Sequence, residues 1–261
     1  MNPQAANQTA DDAQPSLIEF NQWLSRRSAS ARIEWALKSL AGAHVLSSSF
    51  GAQSAVALHL ATQIRPDLPV ILIDTGYLFP ETYDFIRALC DRLRLNLNTY
   101  RPAQAVAWSA SEVAQLEQRG SAGIEHYNRV HKVEPMQRAL NELDAGTWIA
   151  GLRRSQASTR AQLPYLTLKD ARWKLHPLAD WSERDIGHYL SQHHLPYHPL
   201  WEHGFVSIGD VHSTRAWQPG MRAEDTRFFG LKRECGLHAE TGSEPDLATF
   251  ALPQHLQPVL A

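Results

Sequence analysis

The stretch Val70-Ile-Leu-Ile-Asp-Thr-Gly-Tyr-Leu-Phe-Pro-Glu-Thr-Tyr-Asp84 decides the fold class. Its first four residues form a continuous apolar run, the pattern of a strand buried on both faces. The run stops at Asp74-Thr-Gly-Tyr77, and a helix follows. Pro80 suits a first helical turn, and Glu81 and Asp84 lie where the helix dipole favours negative charge. Ile86, Leu89, Cys90 and Leu93 then supply one apolar stripe.

Working outward, the same strand–loop–helix unit precedes this one. Ala43-His-Val-Leu46 reads as a strand and Ser47-Ser-Ser-Phe-Gly-Ala-Gln-Ser54 as its connection. Val56, Leu60 and Ile64 lie on one face of a helix that Pro66 ends. Downstream, Leu95 to Thr99 alternates as a third strand, and Ala103 to about Gln118 reads as helical before a polar loop. Thr147-Trp-Ile-Ala150 is a fourth strand, running into Gly151-Leu-Arg-Arg154, and Trp173 to Leu178 is a fifth candidate. Ser182 and Asp185 fit a capping box for a helix continued by Ile186, Tyr189 and Leu190. Near the start, Leu17 to Ser39 carries helical periodicity.

This alternation predicts an α/β protein with a Rossmann-like, mainly parallel sheet and helices on both faces. Ligands of such sheets bind beyond the carboxyl ends of the strands, where the three loops Ser47–Ser54, Asp74–Phe79 and Gly151–Arg160 all fall. From Pro196 the texture becomes aperiodic, with aromatics, glycines and charges. The expected organisation is a disordered tail over 1–15, a nucleotide-binding domain over 16–195 and a C-terminal arm over 196–261.

Composition narrows the function. With 261 residues, 43% hydrophobic, 20% charged and a net charge of -2, the chain is that of a globular protein without the basic excess of a nucleic-acid platform. Two cysteines, Cys90 and Cys235, exclude a disulfide framework and a thiolate-only metal or iron–sulfur site within one chain. No run approaches the roughly 18 apolar residues of a membrane span, and the polar N-terminus lacks the pattern of a signal peptide. A cytoplasmic location follows as the expectation, and there a free thiol stays reduced.

Each chemistry-bearing segment has a functional and a plain structural reading. The serine loop (Ser47, Ser48, Ser49, Phe50, Gly51, Gln53) is either an anion cradle at a helix N-terminus or an ordinary capping turn. Asp74 is either an acceptor for a ribose hydroxyl or amide, or a turn aspartate. Arg153, Arg154 and Arg160 follow a strand, and their guanidinium forks match phosphate or sulfate oxygens; a solvated basic loop is the alternative. Cys90, on a helix's apolar stripe, reads as structural. Cys235 lies in Lys232-Arg-Glu-Cys-Gly-Leu-His238, where Lys232, Arg233 and His238 favour a thiolate and Glu234 opposes it. His193, His194 and His198 lack ligand spacing and read as structural.

Taken together, Ser47-Ser-Ser-Phe-Gly51, Asp74 to Tyr83, Gly151-Leu-Arg-Arg154, Tyr197-His-Pro-Leu-Trp201 and Lys232 to His238 resemble the phosphoadenylyl-sulfate reductases. These are the thioredoxin-dependent enzymes of sulfate assimilation. The resemblance extends from about Leu17 to His238 and implies a variant of the ATP-pyrophosphatase (adenine nucleotide alpha hydrolase-like) fold. In that fold's Ser-Gly-Gly-x-Asp-Ser loop the acidic place falls to Gln53 here, which argues against adenylation chemistry. The sister adenylyl-sulfate reductases hold an iron–sulfur cluster on a Cys-Cys pair and a Cys-x-x-Cys; those places correspond to Tyr127-Asn128 and Asp210-Val-His-Ser213.

The resemblance implies that Cys235 attacks the sulfur of 3′-phosphoadenylyl sulfate. Lys132 and Arg215 are implied at the sulfate oxygens, with no bound cofactor and reduced thioredoxin or glutaredoxin as external donor. It also implies a homodimer. Two other classes stand beside it: a nucleotidyl-transferring ATP-pyrophosphatase enzyme, and a non-catalytic adenine-nucleotide-binding redox sensor.

Overall fold

The computed structural model describes residues 16–103 and 108–231. Six strands form one sheet: β1 (Ala43–Ser47), β2 (Pro69–Ile73), β3 (Asn96–Tyr100), β4 (Ala145–Ala150), β5 (Leu166–Lys169) and β6 (Arg172–Leu175). Their spatial order is β3-β2-β1-β4-β6-β5, with every neighbouring pair parallel except β5 and β6. The chain runs outward from β1 to β3, then returns to place β4 on β1's other side. That reversal makes a topological switch point, and a crevice opens beyond the carboxyl ends of β1 and β4.

Side chains alternate across the sheet, as strand geometry requires. Leu46, Val70 and Leu72 enter the large core beneath α1 (Leu17–Ser25), α2 (Ala29–Ser39), α3 (Ala55–Ile64), α4 (Pro80–Leu93) and a later helix, α8 (Glu183–Gln192). Val45, Ile71 and Ile73 point the other way, onto Met136, Ala139 and Leu140 of α7 (Glu134–Glu142). Helices therefore cover both faces, and the apolar run Val70–Ile73 is buried on each side. Where β1 and β4 begin, a Cβ on Gly42 would lie 2.6 Å from the Gly146 Cα, so the close start of these strands needs glycine.

Four regions differ from the sequence expectation. Leu17–Ser39 is two helices, because Ser28 caps a second one by accepting from the Ala31 N–H. The expected helix Ala103–Gln118 is, in its described part, only the short α5 (Ala110–Ala114). The expected polar loop is instead α6 (Gly120–Asn128), a π-helical turn Arg129–Val133 and α7. The buried side of α6 and the π-helical turn includes Tyr127, Asn128, His131 and Lys132, so apolar periodicity does not report that stretch, whereas α7 does carry a stripe in Met136, Ala139 and Leu140. The fifth strand has a partner, β5, joined through Asp170 and Ala171 at φ 48° and 59°. That two-residue turn contains no Gly or Asn to signal it.

The described part of the arm folds back on the domain: the His198 N–H donates to the Ala52 carbonyl (3.0 Å) and the Val211 N–H to the Tyr77 carbonyl (2.9 Å). Among the described residues no helix is long and apolar enough to cross a membrane.

Candidate active site

A cleft of about 600 Å³ opens at the switch point. Its floor is the serine loop. Ser47 is fixed by accepting from the Trp148 indole N–H (2.7 Å), and Ser48 accepts from the Phe50 N–H (3.1 Å). Phe50 adopts φ 49° and buries its ring completely in the large core, so it anchors the loop from below and does not line the cleft. Ser47, Ser48, Ser49, Gly51, Gln53 and Ser54 do line it. Ser54 Oγ, at the N-terminal end of α3, is buried without a hydrogen-bond partner among the described residues. A helix N-terminus with a spare hydroxyl is suited to an anion.

At the outer end the loop after β4 brings in Arg153, which is only 3% exposed. It donates to Gln53 Oε1 (2.5 Å) and pairs with Glu183 Oε1 (2.9 Å), while Gln53 donates to Glu183 Oε2 (2.6 Å). Burial pulls the Arg153 pKa down and the Glu183 charge pulls it back up. Arg160 joins the same wall and donates to Gln156 (2.6 Å). Arg154 turns away: it donates to the Leu163 carbonyl (2.8 Å) and lies over the Tyr165 ring at 4.6 Å. Arg153 is extended and Arg154 opens a 3-10 turn (Arg154–Gln156), and only the first of the pair reaches the cleft.

At the inner end the π-helical turn aims Lys132 at the cleft, where its Nζ lies 2.5 Å from Asp210 Oδ2. Thr75 donates to the other oxygen of Asp210 (2.6 Å). Burial pushes the Asp210 carboxyl up, but the Lys132 charge and the hydrogen bonds from Lys132 and Thr75 outweigh it, leaving it below the usual carboxylate range. Around this pair Tyr127 stacks on His131 (centroids 4.4 Å) and meets His212 edge-on (5.0 Å). Burial takes the His212 imidazole down to about 4 and pushes the Tyr127 hydroxyl up. Tyr127-Asn128 and Asp210–Ser213, the segments matched by resemblance to cluster-holding thiols, thus converge here with no sulfur.

Two other expected residues are employed elsewhere. Asp74 is 2% exposed and does not line the cleft; it accepts from Tyr83 (2.8 Å), the Gly76 N–H (3.0 Å) and Arg101 (2.9 Å), and so organises the turn after β2. Arg215 donates twice to the Asp225 carbonyl (3.2 and 3.0 Å) away from the cleft. Cys235 and His238 lie outside the described residues. Cys90 is half-buried against the large core, and burial, then Asp91, raises its thiol pKa. His198 is structural: it bonds Thr82 (2.9 Å) and accepts from the Leu200 N–H (3.1 Å).

Sequence reading gave no site role to Thr75 or Glu183, noted Asp210 only at the place of a cluster thiol, and counted Arg227 only as later positive charge. Arg227 reaches the cleft across Gly209, where a Cβ would meet its guanidinium at 2.1 Å.

The fold defines an α/β protein of the adenine nucleotide alpha hydrolase-like type, with a serine-lined crevice at its switch point. Residues 43–216 match the phosphoadenosine phosphosulfate reductase domain. A protein of Xanthomonas axonopodis pv. citri named phosphoadenosine 5′-phosphosulfate reductase is 58% identical over 224 residues, covering 86% of this chain and 93% of its own. One of the same name from Klebsiella pneumoniae is 56% identical over 223 residues, covering 85% and 91%. The crystal structure of a phosphoadenylyl-sulfate reductase from Candida auris, in a phosphate complex, superposes with a TM-score of 0.64 at 28% identity, covering 76% of this chain and 96% of that one. An FMN adenylyltransferase from Candida glabrata, 18% identical with a TM-score of 0.53 over 90% of this chain and 80% of its own, shares the fold alone. The chain belongs to the phosphoadenosine phosphosulfate reductase family.

Proposed function

We propose that the chain reduces 3′-phosphoadenylyl sulfate to sulfite and adenosine 3′,5′-bisphosphate, the reductive step of sulfate assimilation, with Cys235 as the nucleophile. The observation that carries the site assignment is the cleft at the β1/β4 switch point, lined by the serine loop, Arg153, Arg160 and Lys132. A polyanionic nucleotide needs several fixed donors, and these come from three separate segments around one crevice, two loops and the π-helical turn.

In this scheme Ser47, Ser48, Ser49, Gly51 and the N-terminal end of α3 cradle one anionic group, while Arg153 and Arg160 take a second. Lys132, at the inner end, faces the sulfonyl oxygens. The Cys235 thiolate attacks the sulfonyl sulfur; a sulfur–sulfur bond forms and the bond from sulfur to the bridging phosphate oxygen breaks. Adenosine 3′,5′-bisphosphate leaves, and Cys235 carries an S-sulfonate. A thiol of an external dithiol protein, thioredoxin or glutaredoxin, then attacks the Cys235 sulfur and expels sulfite. Its second thiol closes a disulfide in the donor and returns Cys235 as the thiol, so the donor supplies both electrons. Cys90 is half-buried with a raised thiol pKa, which supports an external resolving thiol. His238, three residues beyond Cys235 in sequence, is read by the same resemblance as a substrate-binding residue. The scheme calls for a reducing, cytoplasmic setting, and by family resemblance for a homodimer.

Sulfite release with reduced thioredoxin tests the reading. Turnover of 3′-phosphoadenylyl sulfate well above that of adenylyl sulfate is expected. Equal turnover of both would remove the substrate assignment, and turnover of neither would remove the activity.

A further inference from the structure

The buried guanidinium of Arg153 is held by a carboxylate that is itself largely in water. Arg153 is 3% exposed and the Glu183 side chain 57% exposed, at a separation of 2.9 Å, with Gln53 bridging the two. All three line the cleft. A charge taken out of water needs a counter-ion in every state of the protein, because breaking such a pair leaves an uncompensated buried ion.

The two partners differ in how firmly they are fixed. Arg153 belongs to a turn closed by its own N–H donating to Gln156 (3.1 Å), and its Nη1 also reaches Ser155 (3.4 Å). Glu183 sits on the first turn of α8, whose backbone is fixed by the Ser182–Asp185 capping box. Its side chain, however, has water on one side and can swing outward at little cost to itself once another anion takes its place on Arg153. Phosphate and sulfonate oxygens offer the same two-point geometry to a guanidinium as a carboxylate.

We infer that Glu183 is an exchangeable counter-ion: it occupies the anion position on Arg153 in the empty cleft, and the anionic group of the nucleotide displaces it. The inference rests on the nucleotide reading of this cleft. Binding is then a swap of one anion for another, and Glu183 sets the affinity of the site through Arg153 as a positioning residue. Its return to Arg153 assists departure of the anionic product.

The test is calorimetric titration of the full-length protein with adenosine 3′,5′-bisphosphate. Glu183→Gln and Glu183→Ala are expected to bind it about threefold to tenfold more tightly than the wild type. The gain is expected to vanish in an Arg153→Gln background, and Asp185→Asn, which removes a charge from the same helical turn, is expected to show none. A structural role alone would weaken binding. Unchanged or weaker binding by both Glu183 variants overturns the inference, as does an equal gain in the Arg153→Gln background or in Asp185→Asn. No binding by the wild-type protein overturns the nucleotide reading itself, and the inference with it.

Discussion

The two ends of the cleft are each built on an ion pair, and the pairs are of opposite character. At the inner end Lys132 and Asp210 are both buried, with Thr75 on the second carboxylate oxygen and three aromatic side chains around them. At the outer end Arg153 is buried but its partner Glu183 is not. A dry pair is a fixed feature, since neither member has water to fall back on. A pair with one wet partner is replaceable. The cleft therefore couples a permanently aimed cation with one released to its ligand on demand.

The largest expected effect breaks the inner pair. Asp210→Ala leaves Lys132 buried and uncompensated and is expected to cost about 3–5 kcal/mol of stability, read as a fall in denaturant midpoint. Replacing both members, Asp210→Leu with Lys132→Met, is expected to recover most of that stability while sulfite release stays abolished. Recovery of activity as well would make Lys132 dispensable.

The outer end is expected to separate stability from activity. Arg153→Ala leaves Gln53 and Glu183 where water reaches them, so stability is expected to change by about 1 kcal/mol or less. Its kcat/KM is expected to fall about 10²- to 10³-fold, the usual loss for a donor to developing or transferred negative charge. A large loss of stability with intact turnover would reverse the assignment of the two ends.

Acid distinguishes the ends again, more gently. Burial holds His212 and His198 down to about 4 and His176 down to about 3. Between roughly pH 6.5 and 4 the unfolded chain takes up protons on these rings and the folded chain does not, so stability falls as pH drops through that window. Asp210 acts lower: its depressed pKa contributes stability above the ordinary carboxylate range, and that contribution is lost as pH falls through its folded value. Melting temperature between pH 7.5 and 5 should decline. His212→Gln should flatten part of the decline. At neutral pH Glu183→Gln leaves the buried Arg153 without its counter-ion and is expected to lower stability, by less than Asp210→Ala because Glu183 itself is largely in water, in the same denaturant titration.

The same contrast explains what could be read before folding. The outer end was legible: Arg153 follows a strand directly, and Ser47–Gln53 joins an apolar strand to a periodic helix. The inner end was not. Its π-helical turn buries His131 and Lys132, so the segment lacks the apolar stripe that marks a helix. Asp74 and Asp210 are the same residue type, one after β2 and the other ahead of the 3-10 turn Val211–Ser213, and their partners tell them apart. Tyr83, Gly76 and Arg101 use up Asp74, whereas Asp210 faces a lysine across the cleft wall. Arg153 and Arg154 are likewise indistinguishable as letters and differ in backbone, one extended and the next opening a 3-10 turn, which sends their side chains to different partners. Resemblance brought Lys132 forward where periodicity could not.

The central claim is that a single thiol, Cys235, receives the sulfonate before any external donor acts. The most direct measurement is the intact mass of reduced full-length protein after incubation with 3′-phosphoadenylyl sulfate, beside adenylyl sulfate and a Cys235→Ser control. The account predicts a sulfonate adduct that requires Cys235, forms with the 3′-phosphorylated nucleotide and disappears on addition of reduced thioredoxin. A folded, reduced protein that gains no mass, or that gains it equally with Cys235→Ser, would contradict it.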